Sequence, residues 1–104
     1  MPRRIGISQG DKMKQFAYKV PAGKLIKVKV LLESNRISEV IITGDFFLHP
    51  EEGLHEIEQS LKGSSFEIPE MAARIRKALE SIDGQLIGVS PEDFALTIRN
   101  AIYS

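Results

Sequence analysis

Apolar and polar positions change their period part-way along the chain. From Phe16, the residues Phe16, Tyr18 and Val20 alternate with Ala17 and Lys19, the period of two expected of a half-buried strand. Pro21-Ala22-Gly23 breaks the run. Lys24 to Glu33 predicts the clearest strand, with Ile26, Val28, Val30 and Leu32 on one face and Lys27 and Lys29 on the other. Ser34-Asn35-Arg36 supplies a short polar turn whose Asn tolerates a left-handed backbone, and Ile37 to Thr43 resumes a β-branched run. Together these predict a three-stranded antiparallel meander.

Beyond the corner at Gly44 to Leu48 the period becomes helical. Leu54, Ile57 and Leu61 define a first helix, with Pro50 suited to its first turn, Glu51 and Glu52 near its positive end, and Lys62 and Gly63 at its close. A second helix starts at Pro69 and Glu70 and carries Met71, Ala72, Ile75, Leu79 and Ile82 along one face. The third has the cleanest entry: Ser90 as N-cap, Pro91 at the first position, Asp93 at the third, and Val89 placed to staple onto Phe94. Three strands followed by three helices predict an α+β fold with the helices on one face of an antiparallel sheet. Residues 1–15 show no sustained period and are expected to form a basic tail, leaving 16–104 as the domain.

Composition narrows the function classes. At 104 residues the chain suits one modest core, and 42% apolar with 27% charged residues is ordinary for a globular protein. There is no Cys, which excludes disulfides, thiolate nucleophiles and cysteine-ligated metal clusters. No apolar run approaches the ~18 to 20 residues of a membrane span, and Met1-Pro2-Arg3-Arg4 does not lead into a signal-peptide core, so a cytoplasmic location is expected. The net charge of zero hides a division: residues 1–36 hold nine Lys/Arg against two acids, and the remainder five against twelve. A basic end suits an anionic partner, whether nucleotide, nucleic acid or acidic protein.

Candidate chemistry is sparse. His49 and His55 are too far apart in register to share a helical face as metal ligands, no nucleophile elbow precedes a helix, and Glu51, Glu52, Glu56 and Glu58 read as a solvated helical face. Two features stand out. In Pro21-Ala22-Gly23-Lys24, Gly23 allows close backbone approach and Lys24 offers a point charge for a phosphate or carboxylate; the same residues also make an ordinary turn, and the P-loop pattern fails because Leu25 follows Lys24. In Gly44-Asp45-Phe46-Phe47-Leu48-His49-Pro50, adjacent aromatics on an extended chain cannot both point inward. One ring is expected to face out as a contact for a partner, with burial of both beneath the helices the competing reading.

These two segments, Tyr18 to Val28 and Ile41 to Glu52, closely resemble in order and spacing the C-terminal accessory domain of lipoate-protein ligases, a resemblance that runs from about Tyr18 to Ile102. In that family a large domain binds lipoate and ATP, forms lipoyl-adenylate and passes the lipoyl group to a lysine of an acceptor protein; the two parts are sometimes separate chains. The resemblance implies the small subunit of a bipartite ligase, not catalytic alone, needed mainly for adenylation. It implies a heterodimer with the large catalytic subunit, indirect contact with lipoyl-acceptor proteins, and ATP, Mg and lipoate in the complex, with no cofactor or metal held by this chain alone. It also implies a fold akin to the sulfur-transfer and iron-sulfur scaffold proteins, without their thiol chemistry. Gly23 and Lys24 become the candidates to face the adenylate or phosphate, and Gly44, Asp45, Phe46 and Phe47 the candidate partner interface. The alternative is a small basic nucleic-acid-binding module using Lys27 and Lys29, with membrane attachment not expected.

Overall fold

The structure is a computed structural model that describes residues 13–21 and 23–103. Its first sheet holds β1 (Met13–Lys19), β2 (Leu25–Glu33) and β3 (Arg36–Gly44), antiparallel and in the order β1-β2-β3. The strand expected from Phe16 therefore begins at Met13, so Met13 to Gln15 belong to the sheet and not to a tail; residues 1–12 lie outside the described residues. The β2–β3 turn closes over Ser34 and Asn35, both at positive φ (53° and 62°), the backbone a tight two-residue hairpin requires. A bulge at Ser38 follows, because Leu31 pairs with Glu39 while Leu32 pairs with Ile37. That extra residue lets Ile37 and Val40, three positions apart, both enter the core.

Three helices follow: α1 (Gly53–Ser60), α2 (Ile68–Ser81) and α3 (Pro91–Tyr103). α3 packs on α2 and across β1 and β2, and α1 packs on α2 and β3, so the helices gather over the sheet with α1 and α3 against it and α2 against both. Ile26, Val30 and Ile42 of the sheet meet Ile57, Ile75, Phe94 and Ile98 of the helices, all essentially inaccessible. The entry of α3 follows its sequence signature: Ser90 N–H donates to Asp93 (2.9 Å) and Asp93 N–H donates to Ser90 Oγ (3.2 Å), a reciprocal capping box.

Three expectations for the α1 segment need correction. Pro50, expected in its first turn, follows a cis peptide bond and lies in a separate turn in which Gly53 N–H donates to the Pro50 carbonyl (2.9 Å). Glu51 and Glu52 still lie at the helix's positive end, Glu52 as the N-cap residue, and Glu56 is the acid of its first turn. The helix begins at Gly53, which is buried so closely against the Ile82 side chain that a Cβ would overlap it. Lys62 likewise falls beyond the last turn; the closing carbonyls of this segment, Ser60 and Lys62, accept from the Arg74 guanidinium of α2 at 3.1 and 3.2 Å. Glu58 does not sit in a purely solvated charge row either. Its carboxylate accepts from the Ile42 amide (2.8 Å) and, with Gly63 and Ser64 pairing to Ile37, covers part of the outer edge of β3.

Arg74 also pairs with Glu70 (3.0 Å), whose carboxyl additionally accepts from the Ser65 hydroxyl (2.7 Å). The Ser65 bond first, and Arg74 second, hold Glu70 below the usual carboxylate range. A carboxylate depressed in the folded state stabilises it above the pH at which the unfolded chain titrates, and that contribution is lost as pH falls through the lower folded value. Glu70→Gln is therefore expected to lower the melting temperature slightly at neutral pH and to flatten its decline in acid. The effect is small because both side chains are more than a third exposed (39% and 35%). An acid limb identical to that of the unsubstituted chain would contradict this assignment.

A second sheet was not evident from periodicity. β4 (Phe47–His49) pairs antiparallel with β5 (Gln85–Ile87), tying the corner after β3 to the connection between α2 and α3. Each strand has only three residues, and its importance lies in what it positions.

Candidate functional site

The Gly23-Lys24 turn and the Gly44-Asp45-Phe46-Phe47 corner, separate in sequence, form one apex of the domain. At the β1–β2 turn, Val20 N–H donates to the Lys24 carbonyl and Gly23 N–H to the Val20 carbonyl, both at 2.8 Å. Gly23 holds φ +96°, a conformation that side chains rarely adopt. Because the Gly23 amide is spent inside the turn, the group left to meet an anion is the Lys24 ammonium. Ala22 lies outside the described residues.

The corner is locked onto the start of β2. Leu25 N–H donates to Asp45 Oδ1 (2.5 Å), and Asp45 N–H donates back to the Leu25 carbonyl (3.2 Å), extending the β2–β3 ladder one step beyond Ile26 and Gly44. Gly44 is required by proximity: a Cβ there would collide with the Leu25 carbonyl oxygen and sit 2.8 Å from the Phe46 ring. Gly44 and Asp45 thus act within the domain, fixing where the two aromatic residues begin.

Those residues part as their alternation demands. Phe46 turns inward, half-buried, with its ring edge-on to buried Phe94 at a centroid separation of 5.0 Å. Phe47 turns outward and is 63% exposed. Its cross-strand partner on β5 is Ile87, itself 55% exposed, so the short hairpin presents an apolar pair to solvent. A shallow hollow of about 340 Å³, lined in part by Thr43, Glu51 and Leu54, borders Phe47 on its corner side.

Lys24 is drawn into the same apex. Its ammonium stands 5.4 Å from the Phe47 ring centroid, within cation–π range. Its stem crosses Gly88, where an added Cβ would lie 2.9 Å from Lys24 Cγ. Ion pairs among the described residues join Glu70 to Arg74 and Glu92 to Arg76, and Lys24 takes part in neither. The apex therefore offers a carboxylate or phosphate one positioned cation, framed by an apolar rim. Ile87 and Gly88 are the members that sequence reasoning missed; the signal available was a short alternating run, Gln85-Leu86-Ile87, bracketed by Gly84 and Gly88.

Because Gly88 has φ +95° as well as the Lys24 stem against its α-carbon, Gly88→Ala should strain the backbone by about 1–3 kcal/mol and push Lys24 aside. A thermal midpoint equal to that of the unsubstituted chain would show that the segment relaxes freely. The two histidines do not join the apex centre: His49 is exposed opposite Gln85, and His55 is exposed on α1. Among the described residues no group of three or more His, Cys, Asp or Glu side chains could hold a metal ion, and no helix is long and apolar enough to cross a membrane.

The fold and its apex are those of a small α+β domain, and comparison with known proteins places it among the accessory domains of lipoate ligases. The chain belongs to the family described as the bacterial lipoate protein ligase C-terminus, which matches residues 13–98, beginning at the first residue of β1. It is similar to lipoate-protein ligase A subunit 2 of Thermoplasma acidophilum, with 37% identity over 78 residues, 72% of this chain and 77% of the relative. It also superimposes, with a TM-score of 0.69 and 35% identity, on a chain from the structure of an archaeal lipoylation system comprising a bi-partite lipoate protein ligase and its E2 lipoyl domain from the same organism. That match covers 83% of this chain and 93% of the other.

Proposed function

We propose that this chain is the accessory subunit of a bipartite lipoate-protein ligase, acting in the cytoplasm with a large catalytic subunit to activate lipoate as lipoyl-adenylate and so to lipoylate acceptor proteins. The observations that carry the reading are its match to a lipoate-protein ligase A subunit 2 and, over most of both chains, to a chain from a bi-partite ligase structure. The apex supports it, because both segments that resemble the family meet there around one half-buried cation and one exposed ring.

In the activation step the lipoate carboxylate attacks the α-phosphate of ATP, a P–O bond to the β-phosphate breaks, and pyrophosphate leaves with its charge. Negative charge grows on the phosphoryl oxygens as this happens, and a fixed ammonium beside them stabilises the transition state more than the ground state. Lys24 is assigned that part, held by Phe47 and Gly88. Lipoate, ATP and its Mg are assigned to the large subunit, with Phe47 at the centre of the contact and Gly44, Asp45 and Phe46 shaping it from behind.

The reading is tested by mixing the chain with a lipoate-ligase large subunit that lacks a C-terminal domain. Co-elution of the two on gel filtration is expected, together with a lipoyl mass increment on an acceptor domain supplied with ATP, Mg and lipoate. A mixture that elutes as two separate species and leaves the acceptor unmodified would refute it.

A further inference from the structure

The helix-free face of the main sheet is built in four cross-strand rows: Lys19–Leu25, Ala17–Lys27–Thr43, Gln15–Lys29–Ile41 and Met13–Leu31–Glu39. Two features set it apart from an ordinary wet sheet face. First, Lys27 and Lys29 stand exposed side by side on the central strand, and their cross-strand neighbours Ala17, Thr43, Gln15 and Ile41 are all neutral. Lys19 adds a third exposed cation in the adjoining row and Glu39 an exposed acid diagonal to Lys29, so these rows carry three cations against one acid, an excess that raises the local potential. The ion pairs of the described residues lie on the helices and involve neither lysine. Second, the lysines are set among apolar groups, since Ile41 and Met13 are 47% and 38% exposed, and a shallow groove of about 450 Å³ runs between the strands over Ala17.

The face is continuous with the apex. Thr43, opposite Lys27, immediately precedes Gly44, and Leu25, held by Asp45, lies on the same side of β2 one alternate position from Lys27. A partner seated on Phe47 and Ile87 that continued along β2 would reach Lys27 first and Lys29 next. We propose that this sheet face is the second half of the docking surface for the large catalytic subunit, receiving an acidic, apolar-flanked segment of it. The inference rests on the accessory-subunit reading above and extends the contact beyond the aromatic corner. Nucleic acid is the poorer occupant, because single strands are gripped by base stacking on exposed rings, and the exposed rings of the described residues, Phe47 and Tyr103, belong to β4 and α3.

The test is the affinity of the large subunit for the unsubstituted chain and for K27E/K29E, measured by calorimetry across a salt series. At least about a tenfold loss of affinity is expected at low salt, shrinking as salt rises, because opposed charges across an interface act on encounter and are screened. The neutral K27Q/K29Q chain, which introduces no new charge should the first variant fold poorly, is expected to lose affinity by a smaller factor and to show a shallower salt dependence. Affinity and salt dependence unchanged in both variants would overturn the proposal, including where the variants instead lose binding to an RNA oligonucleotide or alter self-association. If the unsubstituted chain itself fails to bind the large subunit, the accessory-subunit reading fails and this extension with it.

Discussion

Lys24→Ala is expected to slow lipoyl-adenylate formation by the reconstituted pair about a hundredfold, the scale associated with removing one preorganised group that stabilises a developing oxyanion. The side chain serves in two ways, and they separate experimentally. Its stem packs over Gly88 and its ammonium sits at the Phe47 ring, so alanine removes both packing and charge. Lys24→Met keeps an apolar stem of similar reach and removes only the charge. A comparable loss in both variants, with folding and association preserved, assigns the effect to the ammonium. Full adenylate formation by either variant would remove Lys24 from the chemistry, and retention by Met alone would reduce it to a packing residue. Transfer of lipoyl from preformed adenylate to the acceptor should be less affected, because the charge that Lys24 is assigned to stabilise develops in the first half-reaction.

Phe47→Ser is expected to weaken association with the large subunit by about 2 kcal/mol, close to thirtyfold, the scale of an aromatic hot spot at the centre of an interface. The isolated domain should stay folded, since the ring is 63% exposed and takes little part in the core. Phe46→Ser supplies the contrast. That ring packs edge-on against Phe94, so its loss should lower the thermal midpoint of the chain before it affects any partner. Ile87→Ser, removing the cross-strand neighbour of Phe47, should weaken association in the same direction by a smaller factor. Unchanged affinity for Phe47→Ser, measured with both proteins demonstrably folded, would move the docking surface elsewhere.

Much of the scaffold was legible because its signals are local. The alternation of Ile26, Val28 and Val30 against Lys27 and Lys29 marked β2, and Ser90 with Asp93 marked the start of α3 down to the two reciprocal hydrogen bonds. What escaped depends on partners distant in sequence. β4 and β5 are three residues each, too short for periodicity to register, and they exist because the chain returns after α2 to lie beside the corner. Pro50 looked like a first-turn proline, but its carbonyl closes a separate turn on the Gly53 amide and the helix starts at Gly53. Glu58 looked like one of several solvated acids until the β3 edge supplied an amide for it.

The candidate site divides along the same line. That one of two adjacent phenylalanines must face out follows from strand alternation, while which one does is decided by Phe94 on the last helix. Gly23 and Lys24 were visible as a turn bearing a cation. That the cation leans on Phe47 was not, because the path of its stem is set by Gly88, a residue no local pattern connects to it. The zero net charge was the least informative number in the sequence. Its division into a basic third and an acidic remainder survives in the fold as an excess of lysines, Lys19, Lys27 and Lys29 against Glu39, on the open sheet face.

The most direct measurement is pyrophosphate release by the large subunit in ATP, Mg and lipoate, without acceptor protein, as this chain is titrated in. If the chain is the accessory subunit of the activation step, release should be near background in its absence, rise with its addition and level off at one chain per large subunit. Release that is already complete without it, or that stays at background at every ratio in a mixture shown to form the complex, would contradict that role.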